Sequence, residues 1–175
     1  MAESDLKAQA YQLARSIGLK SGGILGIILG TLTILLYATD LFSNQIELFV
    51  TIPLMLGFMA WSMWQLRTKL AQTLTLGQGF RTGLTTAVMA ALINAVLTQV
   101  YTSWLDPSAA ERALLRSKER MLAAGESIER VNLYGQFMEK MSPPAIAIPA
   151  VVITVAFFGA IAALLLALIM KKSPK

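Results

Sequence analysis

Apolar residues fall in four long runs, broken by two short polar connections and one long charged one. The first run is the most distinctive. Gly18 to Thr39 reads GLKSGGILGIILGTLTILLYAT, with glycine at every fourth position: Gly18, Gly22, Gly26 and Gly30. From Ser21 to Ala38, 18 residues carry no charge, within the ~17–25 needed to cross a bilayer core. Positions four apart share nearly one helix face, so this span carries a strip of bare backbone. In lipid, where apolar burial drives little association, such a strip lets a second helix come close. Its partner is either another span of the same chain or a second protomer. Inside the chain, Gly83, Ala87, Ala91, Asn94 and Thr98 recur at matching spacing, as do Ala156, Ala160, Ala163 and Ala167.

The same patterning divides the rest. Residues 1–17 predict an amphipathic helix, with Leu6, Ala10, Leu13 and Ile17 at three- and four-residue spacing. It lies on the membrane or runs straight into the first span, 18–39. Asn44 and Glu47 resemble a capping box before a second span, 46–66, with Pro53 near its beginning and Trp61 and Trp64 at its far interface. Thr75 and Gln78 are suited to cap a short interfacial helix through Phe80. The third span covers 82–105, with Tyr101 and Trp104 at its exit. Asp106-Pro107 is a helix-start signal, Asp as N-cap and Pro at the first helical position. Gly125 ends that helix and Ser127 begins another, with Ile128, Val131, Tyr134, Met138 and Met141 on one face. Residues 106–142 therefore predict a helical hairpin. A fourth span, 145–170, has Pro149 in its first turns and precedes a basic tail. The fold expected is all-α: a four-helix transmembrane bundle with an extracytoplasmic hairpin between spans three and four.

Composition agrees. Hydrophobic residues make up 55% of 175 and charged residues 14%, against about 25% charged in soluble domains. Mean hydropathy is +0.61. The net charge of +5 would suggest nucleic acid in a soluble protein, but the basic residues sit at span ends and set topology instead. Lys and Arg number three before and at the start of the first span, three in 67–83 and three in the tail, and none in 40–47. The hairpin has six basic and six acidic residues. Both termini and the 67–83 connection are thus expected in the cytoplasm. The polar N-terminus, with Glu3 and Asp5, is unlike the basic start of a signal peptide, so the first span is read as uncleaved.

Chemistry is scarce. No cysteine or histidine occurs, which removes thiolate and imidazole catalysis. No Asp, Glu, Lys or Arg lies deep in a span, against a proton-coupled pump. GQGFRTG, residues 77–83, superficially resembles a phosphate loop but lacks the glycine spacing, the preceding strand and the lysine–hydroxyl pair. It reads better as a cytoplasmic re-entry turn, with Arg67, Lys69 and Arg81 near anionic headgroups. Asn94 and Gln99 are the strongest polar groups in span three. They either bond a neighbouring helix or line a solute path. The hairpin acids Asp106, Glu111, Glu119, Glu126, Glu129 and Glu139 have bases nearby, Glu111 beside Arg112 and Arg116, the pattern of a solvated face. No catalytic, metal or cofactor site is assigned.

The order of these features, a glycine-rich first span, GQGF (Gly77–Phe80), the Asp106-Pro107 pair, a charged helical insertion and a last span ending in lysines, resembles a family of small four-span bacterial membrane proteins catalogued only as a domain of unknown function. That resemblance implies a bacterial inner-membrane location and carries no activity. The expectation is a non-enzymatic structural or accessory protein with no cofactor. Its partners would be membrane lipid, a second copy in a homo-oligomer or an unidentified membrane or periplasmic protein, not nucleic acid. The alternative is a small oligomeric transporter or channel for a neutral or weakly charged solute.

Overall fold

A computed structural model describes the backbone over residues 3–42 and 44–172, and the side chains over 8–42 and 46–172. The chain is all-helical: α1 (Glu3–Ala38), α2 (Asn44–Lys69), α3 (Leu76–Val100), α4 (Pro107–Ala123), α5 (Ile128–Met141) and α6 (Pro144–Met170). A π-helical turn, Tyr101–Leu105, extends α3. Four stretches are long and apolar enough to cross a membrane: Ala8–Ala38, Ile46–Lys69, Leu76–Leu105 and Pro144–Met170.

The amphipathic N-terminal segment and the first span form one unbroken helix. Thr75 and Gln78 form a reciprocal capping box, Thr75 N–H donating to Gln78 Oε1 at 3.0 Å and Gln78 N–H to Thr75 Oγ1 at 3.3 Å. It starts α3 itself, so the separate interfacial helix expected there is absent and GQGFRTG is the first two turns of a long helix. The box satisfies two of the orphan amides, and no residue between Leu76 and Val100 breaks the helix. Pro53 sits ten residues into α2, not at its start. Asn44 as a cap and the tail residues Ser173–Lys175 lie outside the described side chains.

α3 is the central rod. The α1 glycines lie along one side of it, running parallel. A Cβ added at Gly18 would stand 2.8 Å from Thr85 Cβ, at Gly22 2.5 Å from the Thr86 carbonyl oxygen, at Gly26 2.7 Å from Ile93 Cβ and at Gly30 2.6 Å from Leu97 Cδ1. The second side of α3 meets α6 antiparallel through a row of small residues. Added Cβ atoms at Gly79 and Gly83 would lie 3.0 and 3.1 Å from the Cβ atoms of Ala167 and Ala163, and one at Gly159 2.9 Å from that of Ala87. The glycine stripe thus meets Thr85, Thr86, Ala90 and Ile93 of α3, while Gly83 and Ala87 face α6 instead.

The larger buried cluster gathers at one end, Ala14, Ile17, Met59, Met63, Leu66, Leu74, Ala87, Ala163 and Ala167, and a smaller one of Leu25, Leu29 and Ala90 lies further along α1 and α3. Two polar ties reinforce the larger cluster. Thr86 Oγ1 is 3.1 Å from Ser62 Oγ, fully buried between α3 and α2. Leu74 and Lys172 exchange backbone hydrogen bonds at 3.0 Å each way, pinning the exit of α6 to the α2–α3 connection. That connection is tight, with Ala71 and Gln72 in left-handed conformations (φ 50° and 67°).

Candidate functional site

At the opposite end the spans do not close on one another. A cavity of about 950 Å³ lies between them and the α4–α5 hairpin. Its wall is built from the last turns of α1 (Thr33, Tyr37), the later half of α3 (Asn94, Thr98, Gln99) with Thr102 of the π-turn, and the first half of α6 (Ala147, Val151, Thr154). Leu114 of α4 and Tyr134, Phe137 and Met138 of α5 cover it. Tyr134, Met138 and Met141 line the cavity, while Ile128 is exposed. The polar groups on its wall are a direct consequence of sequence. Along α3 the row of Gly79, Gly83 and Ala87 gives way to Asn94, Thr98 and Gln99, which line the cavity. A π-helical turn at the rim is rare in itself and recurs at functional sites.

Asn94 and Gln99 both face this space. Among the described residues their side chains bond within α3: Asn94 Oδ1 is 3.5 Å from Thr98 Oγ1, and Gln99 Nε2 donates to Ser103 Oγ at 2.9 Å. Neither crosses to another helix. Glu47, read from sequence as a helix cap, lines the same cavity from the first turns of α2, half-buried. The one cue in the sequence is that Glu47 is the sole acid of α2; which way it faces is set by the packing of α2. Glu111 and Glu139 also line it, from α4 and α5.

A charged clamp holds the hairpin down. Asp40, at the end of α1 in a left-handed conformation (φ 59°) that aspartate tolerates better than most, accepts from Arg112 Nε at 3.1 Å and pairs with Arg116 Nη2 at 2.7 Å. Arg116 also donates to the Asp40 carbonyl. Arg112 Nη2 reaches Asp106 Oδ2 at 2.8 Å, and Ser108 Oγ donates to Asp106 Oδ1 at 2.6 Å. Arg112 and Arg116 therefore pair with Asp40 and Asp106, not with Glu111. Asp106 occupies the N-cap position, its carbonyl accepting from Ala109 N–H at 3.1 Å, with no side-chain capping hydrogen bond. Hydrogen bonds from Arg112 and Ser108 hold its carboxyl down at about 2, and those from Arg116 and Arg112 lower that of Asp40. The clamp joins residues 72 positions apart, a pairing that no local motif announces.

The basic residues placed near headgroups lie at the packed end and do not form one site. Arg81 is exposed, with its guanidinium 5.2 Å from the Tyr11 ring centre. Lys69 is exposed, and Arg67 turns inward, its Nε buried without a hydrogen-bond partner among the described residues. The four glycines contact α3 instead, Gly18 against Thr82 just after Arg81 and Gly22, Gly26 and Gly30 progressively further along.

A protein family described as "Protein of unknown function (DUF4199)" matches residues 20–172. No curated protein and no solved structure matches the chain.

Proposed function

The chain belongs to that family of unknown function, and from its geometry we propose a non-enzymatic accessory protein that holds an amphipathic or lipid-like molecule in the cavity beneath its hairpin. The observation that carries this is the space itself: about 950 Å³ with apolar walls from α5 and α6 and a polar row from α3. Concave, mostly apolar sites with a few placed polar groups are where small ligands bind. The distribution of Lys and Arg supports a bacterial inner-membrane setting with both termini cytoplasmic and the hairpin periplasmic. On this reading the glycine face of α1 is spent on α3 within one chain, leaving association between copies to other surfaces. A reporter fused after Lys175 tests the topology; activity on the outer side overturns it.

The binding reading is tested by purifying the protein in mild detergent and identifying co-purifying molecules by mass spectrometry. A molecule retained at near-stoichiometric level by the wild type and lost in Ala147→Trp, which fills the α6 wall, supports it. Retention of nothing by the wild type overturns it. Asn94 and Gln99, with hydrogen bonds turned back into their own helix, favour a second reading, a small oligomeric transporter or channel for a neutral or weakly charged solute. Solute flux through liposomes holding only this protein would select it.

A further inference from the structure

The cavity is one-sided in charge. Three carboxylates line it, Glu47, Glu111 and Glu139, each from a different helix, and no lysine or arginine stands among its lining residues. The α4 arginines that would neutralise them are already engaged: Arg112 by Asp40 and Asp106, Arg116 by Asp40. Glu47 is the decisive group. Its side chain has no hydrogen-bond or ion-pair partner among the described residues, and it is half-buried in the first turn of a helix that is otherwise uncharged up to Arg67. Ionised groups withdrawn from water are costly unless paired. Aromatic rings line the same cavity, Tyr37 from α1 and Tyr134 from α5 among them, and ring faces attract cations. The rest of the lining is uncharged, with Asn94, Thr98 and Gln99 of α3 facing aliphatic residues such as Ala147 and Val151 of α6.

We infer that the cavity takes an amphipathic organic cation, its apolar body against α5 and α6 and its positive centre toward Glu47. The inference rests on the cavity being the working site, as proposed above, and adds the sign of the ligand's charge. An anion would meet three carboxylates and no base. A neutral body would leave Glu47 uncompensated.

Two ions of the same shape and opposite charge make the test: tetraphenylphosphonium and tetraphenylborate, measured by equilibrium dialysis against the full chain in one detergent, with micelle-only blanks. The expected result is saturable binding of the cation, tighter than the anion by about tenfold or more. Glu47→Gln should narrow that preference and Glu47→Asp keep it, with melting curves of both variants confirming folded protein. Equal saturable binding of both ions, abolished by Ala147→Trp, overturns the charge assignment and leaves the cavity reading standing. Failure of both ions to bind while a native molecule co-purifies also overturns only the charge assignment. Failure of both with nothing co-purifying overturns the two together.

Discussion

The two ends of this bundle are built from the same helices and behave as opposites. At the end where α6 leaves the bundle, small residues face small residues. Gly79 and Gly83 meet Ala167 and Ala163, and the core of Ala14, Ile17, Met59, Met63 and Leu66 is closed. At the hairpin end, Leu48, Phe49 and Ile52 of α2 are exposed, and the first half of α6 lines a cavity in place of packing on α3. α1 alone stays tight on α3 over most of its length, because its glycines continue to Gly30. The lesson concerns membrane helices generally. Where no hydrophobic force separates protein from lipid, close approach follows the absence of side chains. A helix that changes from Gly/Ala to Asn/Thr/Gln partway along is therefore shut at one end and open at the other.

The largest effect expected from breaking this contrast is on the glycine side. Leucine at Gly22 would drive Cβ into the Thr86 carbonyl at 2.5 Å, a backbone atom that cannot swing aside. Gly26 is confined in the same way, by Ala90 O at 2.9 Å. Overpacking costs about 1–3 kcal/mol and sometimes more, so Gly22→Leu should lose about 3 kcal/mol or fail to fold, with Gly26→Leu close behind. Gly57 has nothing within 4 Å of an added Cβ, so Gly57→Leu should change stability by no more than about 0.5–1 kcal/mol, with helix propensity on its side. Thermal unfolding in detergent measures all three. Equal melting temperatures would show that the close approach of α1 to α3 contributes nothing.

A smaller effect is expected at the buried tie between α2 and α3. Thr86→Val keeps the shape and removes a hydroxyl that lies 3.1 Å from Ser62 Oγ as well as returning to the Thr82 carbonyl at 2.9 Å. Interhelical hydrogen bonds of this kind are worth about 0.6–1.7 kcal/mol in a membrane protein. The same substitution at Thr154, whose hydroxyl returns to the Ala150 carbonyl at 2.8 Å, should be nearly silent. If the two variants melt together, the Ser62 contact adds no stability beyond what a self-bonded hydroxyl supplies.

The elements of this fold were legible in sequence because they rest on local signals. Charge-free runs of span length, the Thr75–Gln78 box, the Ser127 cap and Gly125 (φ 85°) each act within a few residues. What was not legible depends on distance. GQGFRTG reads as a break because it holds three glycines, yet those at 79 and 83 are there for the contact with α6. Glu47 reads as a cap because it stands three residues after Asn44, and only the placing of α2 beside α1 turns it toward a cavity. Asp40 carried no sequence signal at all. Its role depends on α4 arriving from 72 residues away.

The smallest effect on global stability is expected at the clamp, and it separates the two ends most cleanly. Its groups lie at the surface, so Arg112→Ala should leave the melting of the packed end unchanged while loosening the hairpin. The chain has no cysteine, so spin labels can be placed singly at exposed positions such as Leu122 and Ile146. Their distance distribution should be narrow in the wild type at neutral pH and broad in Arg112→Ala. Acid should mimic the mutation. The carboxyl of Asp106 is held down to about 2 and that of Asp40 is lowered, against about 3.9 for a free aspartate. A depressed carboxylate contributes fully above its unfolded value, and the contribution is lost as pH falls through the folded one. The wild-type distribution should thus begin to broaden below about pH 4 and approach that of Arg112→Ala near about 2. The variant, already loose, should respond little over the same range. A wild-type distribution that stays narrow down to that point would mean that the hairpin is held by its apolar face over the cavity and not by the arginines. The cover would then be as fixed as the packed end it was contrasted with.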